Sequence, residues 1–122
     1  MNKLLFVYGN LIHQAYTKMM MLLLGIEAEY VFDIRNAFEK IQSQDYLVVL
    51  IDVDALGLEA FELAREIRVS DSEIPIVGVT DVADLHVMYK AIDNGMNVCV
   101  QRAELLETLN FYKGKTTQKE VA

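Results

Sequence analysis

Two carboxylates, Asp52 and Asp54, sit at the end of the apolar run LVVLIDVD. Side chains two apart on a strand project to the same side. With Asn10, which follows another apolar run, they offer a weak all-oxygen site of the kind a divalent cation takes. The plainer alternative makes Asp54 a solvent-facing loop carboxylate. The turn holding Asn10 reads VYGN, and in open α/β sheets the turn after a buried strand is where ligand chemistry is usually placed. Here it supplies Tyr8 and Gly9, with no Ser/Thr cluster and no G-x-G-x-x-G, so a phosphate-cradling or flavin-binding turn finds little support. Thr80 ends the run IVGVT and reads as a strand-end residue bonding toward the next helix. Cys99 is the sole cysteine, which excludes an internal disulfide; with no His near it in sequence it suggests no zinc site, and a buried small hydrophobe is expected. His13 and His86 read as ordinary surface or half-buried residues that do not meet.

The elements that must position these residues alternate regularly. Leu4 to Tyr8 reads as a strand, and Leu11 to Leu24 as a helix with Ile12, Ala15, Met19, Leu22 and Leu23 at helical spacing, stopped by Gly25. Glu27 to Phe32 reads as a short strand, and Asp33 caps a helix carrying Ile34, Ala37, Phe38 and Ile41 on one face. Tyr46 to Val53 is apolar throughout, as a parallel strand covered on both faces requires. After Gly57 comes a helix with Phe61, Leu63, Ala64 and Ile67, then Pro75 and the strand IVGVT. Asp81 is expected to cap a helix with Leu85, Met88, Ala91 and Ile92 inward and Gly95 at its end; a strand over Asn97 to Val100 and a helix from Ala103 to Lys113 follow. Five βα units without hairpin signals predict a doubly wound, five-stranded parallel sheet in the flavodoxin-like order 2-1-3-4-5, with helices on both faces. The predicted division is a domain over 1–113 and a polar tail or linker stump over 114–122.

Composition narrows the function. With 122 residues, 53% of them hydrophobic, the chain suits one domain burying about 70% of its unfolded surface. A net charge of -7 and the lack of a basic patch argue against nucleic-acid binding. No stretch approaches the ~18 apolar residues of a membrane span, and no signal-peptide core is present; a cytoplasmic protein is expected. The run Met19 to Leu24 is apolar on every side of its helix, so part of it must be exposed or meet a partner. Met20, Met21 and Leu24 are the expected outward residues; alternatively the last helix covers them with Leu105, Leu109 and Phe111.

The segments LVVLIDVDALGLEAFELAREIR, IPIVGVT and AIDNGMNVCVQRA occur in an order and at separations that resemble a bacterial response-regulator receiver domain, over nearly the whole chain to about Lys113. The resemblance places Asp52 on the phosphoacceptor position, Thr80 on the hydroxyl switch, Cys99 on the aromatic switch, Arg102 on the lysine, and Tyr8 and Gly9 on the acidic pair that helps to hold Mg²⁺. Neither Tyr8 nor Gly9 supplies a carboxylate. The metal normally stabilises charge on the transferring oxygens, so its loss implies much slower phosphoryl transfer.

What the resemblance implies is therefore an atypical receiver, a pseudoreceiver. It is expected to be a non-enzymatic signalling module of a two-component system, with no cofactor, meeting a signalling protein or effector domain. Self-association is expected through the first and fifth helices or through the fourth helix and fifth strand. The rival reading is a true phosphoacceptor, phosphorylated on Asp52 by a histidine kinase, with Mg²⁺ held by unusual ligands such as Asn10 and Asp54. Arg102 is expected to grip Asp52 through its planar fork, with the Tyr8 hydroxyl donating to the same carboxylate. Ala103 stands where the family typically has a cis proline, and a trans bond is expected there because the cis form costs about 2.5 to 4 kcal/mol without proline.

Overall fold

All residues of β3 (Val48–Asp52) and β4 (Ile76–Thr80) are buried, the condition of parallel strands covered by helices on both sides. The computed structural model describes residues 3–70 and 73–121, with side chains described up to 114. Around those two strands lie β1 (Lys3–Val7), β2 (Glu27–Val31) and β5 (Val98–Gln101), all paired in parallel in the order β2-β1-β3-β4-β5. The predicted topology is the observed one.

Strand alternation divides the apolar residues between two cores. Leu5, Val7, Val49, Ile51 and Ile76 join Ala37 and Ile41 of α2 (Ile34–Ser43), Ala64 and Ile67 of α4 (Leu58–Ser70), and Ala91 of α5 (Leu85–Asp93). Leu4, Phe6, Val48, Leu50, Val77 and Val79 join Met20 and Met21 of α1 (Leu11–Leu24), and Leu105 and Leu109 of α6 (Leu105–Val121). Position parity within a strand thus decides which helices a side chain meets.

Several boundaries and faces differ from the sequence reading. Val53 leaves the strand and opens a single helical turn, α3 (Val53–Leu56), ahead of α4, so the predicted fourth and fifth helices are α5 and α6. The cap of α5 is Asp84, whose side chain accepts from the His86 backbone N–H, and not Asp81. Leu85 and Ile92 are exposed; the inward side of α5 holds Ala91, with Val87 and Met88 packed partly against the core. The last helix continues to Val121, beyond the predicted Lys113, after a 3-10 turn at Arg102–Glu104.

In α1 the predicted phase is wrong. Met20 and Met21 are buried against α6, while Ile12, Met19, Leu22 and Leu23 face outward. The six-residue apolar run carries no phase information. The polar residues before it do, because Thr17 is buried with its hydroxyl donating to the His13 carbonyl oxygen. Phe111, expected against α1, is exposed, whereas Leu105 and Leu109 are buried. Asp33 caps α2, and Gly25 ends α1 at φ 67, a left-handed conformation that suits glycine.

Candidate functional site

The same parity builds the site. Asp52 is in step with Val48 and Leu50, so at the C-terminal end of β3 it points toward α1. Arg102, just past β5, is in step with Val98 and Val100, and Asp81, just past β4, with Val77 and Val79. These three residues meet His13, which lies in the first turn of α1 on the helix face that also carries Thr17, Met20 and Met21. The first turn of α1 is fixed by Asn10, whose side-chain oxygen accepts from the N–H groups of Ile12 and His13 at 2.8 and 3.2 Å.

His13 is the centre of the cluster. Its Nδ1 is 2.5 Å from Asp52 Oδ2, a separation that requires a proton between them, and its Nε2 is 3.3 Å from Asp81 Oδ2. Both ring nitrogens thus face carboxylates, and the short Nδ1 contact makes Asp52 the nearer partner of the ring. Arg102 donates from Nε to Asp81 Oδ1 at 2.7 Å and lies 3.8 Å from Asp52 Oδ1 through Nη2, which is also 3.2 Å from His13 Nδ1. The hydrogen-bonded guanidinium holds the Asp81 carboxyl below the usual carboxylate range, with His13 acting in the same direction. Asp52 is fully buried and accepts a further bond from the Ala55 N–H at 3.3 Å. A carboxylate removed from water in this way must be paired. Here the close partner is the imidazole.

This corrects the expected grip. Arg102 does contact Asp52, but as a long ion pair, because its short hydrogen bond goes to Asp81. Tyr8 does not close over Asp52. It shares the parity of Phe6 and packs its ring against Phe6 and Phe32, with centroids 6.0 and 6.3 Å away.

Thr80 has the opposite parity and belongs to a second cluster. Its hydroxyl donates to Asp54 Oδ1 at 2.5 Å and accepts from the Val82 N–H, while Asp54 Oδ2 accepts from the Asp81 N–H. Asp54 is exposed, as the plainer alternative expects, and is also a structural acceptor between α3 and the end of β4. Cys99 is buried on this side, and desolvation, with the nearby Asp54 charge adding, pushes its thiol up to about 11. It is the small hydrophobe expected, and an unreactive one. His86 contributes only its backbone N–H, to the Asp84 cap.

The residues at hand do not suit Mg²⁺. Asn10 is occupied as a helix cap, both Asp54 oxygens accept from protein donors, and Asp52 faces the His13 ring and the Arg102 guanidinium. Among the described residues no cluster of three or more His, Cys, Asp or Glu is placed to hold a metal ion. Gly9 is also sterically confined: a Cβ built on it would lie 2.7 Å from the Cβ of Ala55, a short, rigid side chain.

Residue spacing alone hides His13 and Asp81. A signal for His13 exists if the inward face of α1 is traced backwards from Met21 and Met20 through Thr17, because the next position on that stripe is residue 13. Asp81 is masked by its resemblance to a helix cap, a role its neighbour Asp84 takes.

No family model matches the chain. Over 96 residues, 79% of its length, it is 30% identical to the sensor protein EvgS of Escherichia coli, in strain K12 and in strain O157:H7, and it spans 8% of the length of these curated relatives. Among solved structures, it is 27% identical to the receiver domain of sensor histidine kinase PA1611 from Pseudomonas aeruginosa, which holds a magnesium ion in its active-site cleft. The TM-score is 0.78, covering 93% of this chain and 98% of that one. The receiver domain of Francisella response regulator 1452 aligns with a TM-score of 0.82 at 18% identity, over 95% and 99% of the two chains. With its parallel sheet in the order 2-1-3-4-5 and helices on both faces, the chain has the flavodoxin-like receiver fold.

Proposed function

We propose that this chain is an atypical receiver, a pseudoreceiver, which takes part in two-component signalling through protein-protein contacts and does not use the ordinary Mg²⁺-dependent aspartyl-phosphate cycle. The observation that carries this reading is the His13 imidazole 2.5 Å from Asp52, a protein side chain that occupies the carboxylate oxygen a phosphoryl group would need. Tyr8 and Gly9 supply no carboxylate, and Ala55 fills the space a side chain at Gly9 would need. In this reading Asp52 is a structural anion that ties α1 to the C-terminal ends of the strands. The resemblance to part of a sensor protein and to the receiver domain of a sensor histidine kinase supports a two-component setting, with a signalling protein or effector domain as partner. No described helix is long and apolar enough to cross a membrane, and the module is proposed to act in the cytoplasm.

The test is incubation with Mg²⁺ and acetyl phosphate followed by intact mass. The expected result is an unmodified chain. A phosphoryl adduct that disappears in Asp52→Asn would overturn the proposal.

One observation favours the rival, a phosphoacceptor served by a histidine kinase. Arg102 Nη1 is buried and has no hydrogen-bond partner among the described residues, and an incoming phosphoryl oxygen would satisfy it. For Asp52 Oδ2 to attack phosphorus, His13 must first swing away. The rival therefore predicts a faster adduct in His13→Ala, and the pseudoreceiver reading predicts none.

A further inference from the structure

We propose that the exposed side of α1 is a self-association seam, which pairs with α1 of a second copy of this chain in an antiparallel, two-fold arrangement. The inference names the partner for the interaction module proposed above. It starts from the helix face that the domain leaves uncovered. Leu22 is 84% exposed, Ile12 77%, Leu23 73% and Met19 63%, with Tyr16 and Leu11 exposed beside them.

Ile12, Tyr16, Met19 and Leu23 follow one another at intervals of four, three and four. That is the alternation by which helices interlock knobs into holes. The spacing is also a palindrome. Laid antiparallel, the seam sets Ile12 against the other copy's Leu23 and Tyr16 against its Met19, with sulfur meeting an aromatic ring and the helix dipoles opposed. A two-fold interface must be complementary to itself, and these four positions meet that requirement without adjustment.

Charge and area favour a second copy as the occupant. Each copy carries a net charge of -7, so two copies repel unless they meet at a neutral place. Helix α1 contains no acidic residue, and its single ammonium, Lys18, lies over the Tyr30 ring of its own domain at 5.6 Å. A charged partner would find nothing to pair with on this face. Five largely exposed aliphatic side chains and the partly exposed Tyr16, at roughly 100 Å² each, give about 1,200 Å² for a pair, the lower edge of stable, specific interfaces. The other uncovered apolar stripe, Val82, Leu85, Tyr89 and Ile92 on and before α5, is bordered by Asp81, Asp84 and Asp93. Self-pairing there would bring like charges together.

Sedimentation velocity of the full chain at about 100 µM, enough to populate an interface of micromolar strength, decides the matter. A dimer is expected. Met19→Glu should convert it to monomer with an unchanged far-ultraviolet spectrum, and Leu85→Glu should leave it dimeric. Under oxidation, Tyr16→Cys mixed with Met19→Cys should crosslink more than either variant alone. A monomeric wild type, a dimer that survives Met19→Glu, or one dispersed by Leu85→Glu would each overturn the seam. The mass experiment on Asp52 is independent of this result, so either idea can fail without the other.

Discussion

Glu29 and Asp52 each draw in two basic side chains, and they do so under opposite conditions. Glu29, on the edge strand β2, receives Lys3 and Lys40 at 2.8 Å and the Tyr46 hydroxyl at 3.1 Å, all at a partly hydrated rim. Asp52, on central β3, has no contact with water and relies on His13, with Arg102 farther off. Hydrogen bonds from Lys3 and Lys40 lower the Glu29 pKa to about 2. Water can replace either lysine at Glu29. Nothing can replace His13 at Asp52 without entering the fold. The rim cluster is an ordinary surface ion network, and the central one is a constraint on where α1 sits.

The largest effect that would sharpen this contrast is His13→Ala, which leaves Asp52 buried beside a distant guanidinium. It should cost about 3 kcal/mol of stability by urea unfolding, and Asp52→Asn in the same background should recover much of it. Equal losses in the single and double variants would erase the distinction. Next is Arg102→Lys, which replaces the fork that holds Asp81 with a point charge. A loss of about 1 to 2 kcal/mol is expected, with the Asp81 carboxyl titrating closer to its ordinary range by NMR. Glu29→Gln should be smallest, about 1 kcal/mol at neutral pH, and should shrink in 1 M salt, where screening reaches about 3 Å. The His13→Ala loss should barely respond to salt.

Acid separates the clusters again. Because Glu29 is more acidic folded than unfolded, its contribution is complete above the ordinary glutamate value of 4.5 and fades as pH falls toward about 2. Stability of the wild type should therefore decline over that window more steeply than that of Glu29→Gln. Parallel pH curves for the two proteins would remove Glu29 from the account.

Sheet order and most element positions were legible because apolar runs, caps and glycines act locally. Val48 to Ile51 must be a covered strand whatever surrounds it, and Asp33 and Gly25 mark helix ends through their own backbone chemistry. The site was legible only in part. Asp52 and Arg102 could be placed from motif order, but whether Arg102 turns to Asp52 or to Asp81 depends on a third residue competing for its donors. The phase of α1 was lost in Met19 to Leu24, and with it the position of His13. A uniformly apolar run establishes that a helix is buried somewhere without saying on which side.

The contact waiting at Gly9 limits what the turn after β1 can accept. A single change from Gly9 to aspartate drives a new Cβ into Ala55. Ala55→Gly would remove the atom that such a Cβ meets. The packing of this turn therefore couples what position 9 can hold to what stands at position 55.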